Sequence, residues 1–197
     1  MTYELENALQ AEGFELVCGV DEAGRGPLAG PVFAAAVILP AGMEELGIND
    51  SKKLSEKKRD LLFDEIRAKA IAWAVASADE KEIDELNILN ATFLAMRRAV
   101  ELLPVQPSFV LVDGNRCPKT GYPERAVVKG DATSISIAAA SILAKVSRDR
   151  FLLELDKQYP QYQFAKHKGY PTALHYEMLR TYGISPVHRL SFLKKMH

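Results

Sequence analysis

Four carboxylates in this chain stand where apolar runs stop. Asp21 and Glu22 follow Leu16-Val17-Cys18-Gly19-Val20, and Asp113 follows Ser108-Phe109-Val110-Leu111-Val112. Asp131 comes after Arg125–Val128 and Lys129-Gly130, just ahead of a long apolar segment. A buried strand that ends in acids costs stability unless something neutralises them, and a divalent cation is the usual partner of such oxygen donors. Two cations roughly 4 Å apart can activate a water and stabilise the leaving oxygen of an in-line phosphoryl displacement. That chemistry asks for about four acids meeting at one edge of a sheet, where open α/β folds gather their ligands. Behind the first pair come Gly24-Arg25-Gly26-Pro27, in which the glycines let a phosphate or sugar approach the main chain and Arg25 offers a planar donor fork. The residues together predict a metal-assisted reaction on a phosphate-bearing substrate.

One geometric condition applies. Side chains alternate between the faces of a strand, so Asp21 and Glu22 can point the same way only if the strand stops at Asp21. Gly24 makes that stop the expectation.

The elements that must hold these acids follow from hydrophobic period and punctuation. Residues 1–13 predict a short amphipathic helix, 14–21 a strand and 31–39 a second strand pairing antiparallel with the first. Ser55 caps a helix over 56–69, and 71–78 is a third strand. Asp79 opens an acidic helix reaching Leu86, a further helix runs up to Pro104, and strands follow over 108–112 and 125–128. Residues 132–159 form one long helix whose first half, with Ile135, Ile137, Ala138–Ala140, Ile142 and Leu143, is apolar all round and so buried. The tail from Pro160 holds all four histidines and one more helix, capped by Thr172. Strands alternating with helices indicate an α/β fold with a mixed sheet. Residues 1–160 read as the main domain and 161–197 as a C-terminal helical extension packed on it.

Length and composition narrow the class. The 197 residues suffice for one sizeable core, and 48% hydrophobic with 26% charged residues is a globular balance. A formal charge of −1 argues against broad, non-specific nucleic-acid binding but leaves room for a local basic groove. Cys18 and Cys117 lack zinc-type spacing and read as reduced thiols of a cytosolic protein. The acidic N-terminus has no signal pattern and no apolar run has membrane-spanning length, so a cytoplasmic location without membrane association is the expectation. No serine stands in a nucleophile elbow. Ser134 and Ser136, at the start of the long helix, are candidate phosphate contacts, because free N–H groups there attract anions. Lys145 and Arg148 face the groove or pair with acids such as Asp149. Lys166, Lys168, Arg189, Lys194 and Lys195 cluster in the tail, mostly as a solvated face, and His188 and His197 have no evident partner.

The run Gly19-Val20-Asp21-Glu22-Ala23-Gly24-Arg25-Gly26-Pro27-Leu28-Ala29-Gly30-Pro31 resembles the signature of the ribonuclease HII family. Asp50-Ser51-Lys52-Lys53-Leu54, Val112-Asp113-Gly114, Lys129-Gly130-Asp131, the stretch from Ser134 to Asp149 and His167-Lys168-Gly169-Tyr170 are similar to its other motifs, in family order. The resemblance implies a ribonuclease H-like fold with a five-stranded mixed sheet flanked by helices and a C-terminal helical extension. It implies an endonuclease that cuts the RNA strand of RNA–DNA hybrids and cuts 5′ to single ribonucleotides embedded in duplex DNA, leaving 5′-phosphate and 3′-hydroxyl ends, with a role in ribonucleotide removal during replication and repair. Asp21, Glu22, Asp113 and Asp131 match the family's catalytic and metal-binding acids, for Mn2+ or Mg2+, with Asp149 as an auxiliary acid. Gly24-Arg25-Gly26 matches the element that senses the ribose 2′-hydroxyl, and Tyr170 the tyrosine that packs on the sugar at the RNA–DNA junction. Lys52, Lys53, Ser134 and Lys168 are further expected substrate contacts, and the enzyme is expected to act as a monomer. A different metal nuclease on this fold would share the acids without needing Gly24-Arg25-Gly26 and Tyr170. A non-catalytic hybrid-binding module would have no use for acids that repel phosphate.

Overall fold

The computed structural model describes every residue except Met1, Asn49, Asp50, Lys52, Lys53 and 195–197, and leaves out the side chains of Glu44 and Glu45. In chain order the elements are α1 (Glu4–Ala11), β1 (Val17–Ala23), β2 (Val32–Ile38), α2 (Glu56–Lys69), β3 (Ala72–Ala78), α3 (Glu80–Leu86), α4 (Ile88–Glu101), β4 (Phe109–Asp113), β5 (Glu124–Val127), α5 (Ile135–Gln158), α6 (Phe164–His167) and α7 (Ala173–Tyr182). The strands form one sheet in the order β3-β2-β1-β4-β5. It is mixed as expected: β1 is antiparallel to β2 and parallel to β4, β2 is antiparallel to β3, and β4 is parallel to β5.

Central β1 is covered on both faces, which is why its sequence is a continuous apolar run. Cys18 and Val20 face α4, packing with Ala34, Ala36, Ala95 and Met96. On the other face, Ala35 and Val37 of β2 meet Ile135, Ala138, Ala139 and Ile142 of α5. The close seating of α5 on β1 requires a glycine, because a Cβ at Gly19 would stand 2.1 Å from the Ser136 carbonyl carbon. The long helix is therefore wedged two residues upstream of Asp21.

β1 does not stop at Asp21. It continues through Glu22 and Ala23, which pair with Ala34 and Phe33 of β2. The two acids accordingly alternate between faces, correcting the expectation of a strand end between them.

The C-terminal extension packs through Tyr162, Phe164, Leu179 and Leu193 onto Leu152 and Leu155 of α5 and onto Leu28 and Ala29, in the loop that follows β1. Inside it lie His167, His175 and His188, all buried. Burial pushes His175 and His188 down to about 4, with repulsion from neighbouring histidines adding to the shift. These imidazoles stay neutral in the fold while the unfolded chain takes up protons below its ordinary value of 6.5. Their contribution is thus fully present above pH 6.5 and is lost as pH falls toward 4. Because the two rings share a hydrogen bond they titrate as a coupled pair, and the expected loss is about 3 kcal/mol for the first proton taken up. Urea midpoints measured across this window should fall steeply with acid, and His188→Gln should flatten the curve; an unchanged slope would show that these rings are not held neutral.

Candidate active site

A cavity of ≈ 260 Å³ opens where β1 and β4 end, lined by Asp21, Glu22 and Asp113 together with Gly24, Arg25, Gly26, Ser51, Ser141, Lys145 and Tyr170. Asp21 lies on the α5 side and is 5% exposed. Its carboxylate accepts the Glu22 N–H at 2.7 Å and is hydrogen-bonded to the Ser141 side chain, which also bonds Ser51 at 2.8 Å. Burial holds the Asp21 carboxyl well above the usual carboxylate range, and the charges of Glu22 and Asp113 push it the same way. Glu22, on the α4 side, lines a second cavity of ≈ 280 Å³ with Asp113, Arg25, Asn115 and Arg116. The Arg25 guanidinium stands 3.6 Å from the Glu22 carboxylate, at the boundary between the two spaces.

Asp131 is buried, on a 3-10 turn over Gly130–Ala132, and its N–H donates to the Asp113 carboxylate at 3.3 Å. Three of the four expected acids therefore share one cavity, with the fourth tied to one of them through its backbone. Among the described residues no three His, Cys, Asp or Glu side chains are grouped so that together they could hold a metal ion.

Other expected residues fall elsewhere. Asp149 pairs with Lys145 at 2.8 Å and lines a separate cavity with Glu56, Arg59, Asp60 and Arg150. It holds Lys145, which faces the acid-lined cavity. Ser134 is completely buried, so the expected phosphate contact is corrected too. Its hydroxyl donates to Glu6 of α1 at 2.6 Å and accepts from the Ile137 N–H. Glu6 also accepts the Ser136 N–H at 3.1 Å, so the anion drawn to this helix start is an internal carboxylate. Lys168 folds its ammonium onto the Ala165 carbonyl instead of presenting it outward. Lys52 and Lys53 lie outside the described residues.

The glycine loop is held from behind by two arginines that are 0% exposed, Arg148 of α5 and Arg189 of the tail. Arg189 donates to the carbonyls of Gly24 (2.7 Å), Arg25 (3.1 Å) and Gly30 (2.8 Å). Arg148 donates to those of Ala29 (3.2 Å), Pro31 (3.3 Å) and Lys168 (3.0 Å). Arg189 was expected on a solvated face and Arg148 at the groove or paired with Asp149; neither lies there. In a trans peptide the N–H points opposite to the C=O, so drawing the Gly24 and Arg25 carbonyls toward Arg189 turns the Arg25 and Gly26 N–H groups away from it. Gly24 must lack a side chain, since it has φ +95° and a Cβ there would sit 2.1 Å from Arg148 Nε. Tyr170, 38% exposed, stands across this loop, with its ring 5.7 Å from the Arg148 guanidinium and 5.9 Å from Lys145 Nζ. Ser141, Arg148, Arg189 and Glu6 were not assigned these roles from sequence. The signal available for Ser141 was a polar residue inside an otherwise apolar helical run.

The family model for ribonuclease HII matches residues 18–195. A ribonuclease HII of Dechloromonas aromatica is 64% identical over 177 residues, covering 90% of each chain. One of Caldicellulosiruptor bescii is 56% identical over 194 residues, covering 98% of this chain and 94% of that protein. The crystal structure of the ribonuclease H2 from Pyrococcus horikoshii OT3 superposes with a TM-score of 0.75 at 30% identity, over 89% of this chain and 93% of that one. A mixed five-stranded sheet, an acid-lined cavity at its edge and matches of this extent give one conclusion: the chain belongs to the ribonuclease HII family.

Proposed function

We propose that this cavity hydrolyses the RNA strand of RNA–DNA hybrids and cuts 5′ to single ribonucleotides in duplex DNA, leaving 5′-phosphate and 3′-hydroxyl ends. The observation that carries the reading is the meeting of Asp21, Glu22 and Asp113 with Gly24-Arg25-Gly26 and Tyr170 around one space.

Asp21, Glu22 and Asp113, with Asp131 beside them, are the residues that would hold Mn2+ or Mg2+. The donor set fits: it is all carboxylate oxygen, and the crowding that raises the Asp21 carboxyl is what a cation would relieve. An open arrangement also suits magnesium, which takes one or two carboxylates and completes its shell with water and substrate phosphate oxygens. When bound, such a cation supplies a water of lowered pKa and positive charge against the departing oxygen.

The chain's own residues select and orient the substrate. The Arg25 and Gly26 N–H groups, fixed by the anchored carbonyls, are donors for a ribose 2′-hydroxyl, the group by which a protein tells RNA from DNA. The Tyr170 ring gives a flat surface that a deoxyribose can abut and a further 2′-hydroxyl would obstruct. Lys145, steadied by Asp149, brings a positive charge toward the scissile phosphate.

Digestion of a duplex carrying one ribonucleotide, beside an all-DNA duplex and a uniform hybrid, tests this with Mg2+, with Mn2+ and with a chelator. Cleavage on the 5′ side of the ribonucleotide is expected with metal only. Equal cutting of all-DNA duplex would indicate a general nuclease, and binding without turnover a recognition module.

A further inference from the structure

The three buried histidines of the tail do not line the cavity, yet a chain of their hydrogen bonds leads to the segment that carries Tyr170. A carbonyl can only accept, so the 3.0 Å contact between His175 Nδ1 and the Tyr170 oxygen puts a proton on Nδ1. A backbone N–H can only donate, so the 3.1 Å contact from Ser185 N makes His188 Nδ1 an acceptor, and the Ser185 hydroxyl donates to the same atom at 2.7 Å. Neutral His175 then has a lone pair on Nε2 and neutral His188 has its proton on Nε2. The 3.0 Å contact between these two atoms is therefore a hydrogen bond from His188 to His175. Every ring nitrogen in the chain from Ser185 through His188 and His175 to the Tyr170 carbonyl is used, each in one sense only.

His167 reinforces the same segment. Its Nε2 donates to the Tyr162 carbonyl at 2.8 Å, which leaves Nδ1 to accept the Gly169 N–H at 3.1 Å. Its ring stacks on that of His175 with centroids 4.2 Å apart. Gly169 in turn accepts the Leu28 N–H at 2.8 Å, joining the tyrosine segment to the loop that begins at Gly24.

We propose that His175 and His188 are positioning residues that set the Tyr170 ring over the cavity, and so decide how strongly the enzyme prefers a lone ribonucleotide in DNA over a uniform hybrid. This rests on the reading of Tyr170 as the group that meets the sugar at the junction.

The directional bonds make a test that packing alone would not reproduce. An Asn amide reaches about as far as Nδ1 of the histidine it replaces, and a Gln amide about as far as Nε2. At position 188 the bond that matters to Tyr170 leaves from Nε2, so His188→Gln keeps it and His188→Asn loses it. At position 175 the bond leaves from Nδ1, so His175→Asn keeps it and His175→Gln loses it. The readout is the ratio of kcat/KM on a single-ribonucleotide duplex to that on a uniform hybrid, with Tyr170→Ala as the reference.

We expect that ratio to fall about tenfold in His188→Asn and His175→Gln, and to stay within about threefold of wild type in His188→Gln and His175→Asn, a tenfold change corresponding to 1.36 kcal/mol of transition-state discrimination. Should one pair not fold, the other carries the comparison. If Tyr170→Ala lowers the ratio but the losing and keeping variants behave alike, the positioning role is overturned while the tyrosine reading stands. If Tyr170→Ala leaves the ratio unchanged, both are overturned.

Discussion

Asp21→Asn is expected to abolish turnover while raising the melting temperature of the metal-free protein. The two effects have one cause. Asp21 is 5% exposed and faces the charges of Glu22 and Asp113, so its ionised form is disfavoured by desolvation and by repulsion. A carboxyl whose folded pKa is raised above its unfolded value contributes stability at low pH that is lost as pH rises through the folded pKa. Asn keeps the shape and removes that loss. It also removes one of the three carboxylate donors that the cavity shares, and kcat should fall on the order of 10³-fold or more, as when a main electrostatic group is deleted from a site of this type. Hybrid binding should survive, since Gly24-Arg25-Gly26 and Tyr170 are untouched. Melting in chelator compared with melting in Mn2+ checks the linkage: wild type should gain stability from the metal by mass action, and the variant should gain less. Retained turnover, or a variant less stable than wild type in chelator, would remove Asp21 from the metal-binding set.

The acids were legible because strand ends and apolar runs are local patterns, and each of the four stands beside a run that could be read without its neighbours. What surrounds them was legible only in part. The stop expected after Asp21 rested on Gly24, but a strand continues wherever a partner is offered, and Phe33 and Ala34 of β2 go on pairing Ala23 and Glu22. An anion at the start of α5 was a sound physical expectation, yet nothing local to Ser134 shows that it comes from Glu6, 128 residues away. Asp149 sits four residues beyond Lys145 on one helix face, and the pairing of these two that the sequence offered is the one that forms. The histidines of the tail had no visible partners because those partners are carbonyls and each other's rings, brought together only by the fold of the extension.

Arg189 shows most sharply what composition conceals, and its removal should produce a large stability loss. A tail arginine among lysines reads as solvated, yet this one is 0% exposed and spans 165 residues of sequence to reach Gly24. Burial, helped by the neighbouring Arg148, pushes its guanidinium down to about 9, so it remains charged at neutral pH. That charge is tolerated because its three bonds go to carbonyls, and charge-assisted bonds of this kind are worth roughly twice a neutral one. Arg189→Met removes the charge and leaves the Gly24, Arg25 and Gly30 carbonyls without their donor, a loss on the order of 3 kcal/mol and a melting temperature lower by about 10 °C. Arg189→Lys keeps the charge but not the fork, so one ammonium replaces a planar group that bonds three carbonyls at once. In both variants the Arg25 and Gly26 N–H groups lose the anchor that aims them, and a misplacement of about 1 Å at such a position can cost about 100-fold in rate. The loss should appear as a fall in kcat/KM on ribonucleotide-containing duplex at a temperature where the variant is fully folded. A folded Arg189→Lys with wild-type cleavage would show that the glycine loop holds its shape without the fork.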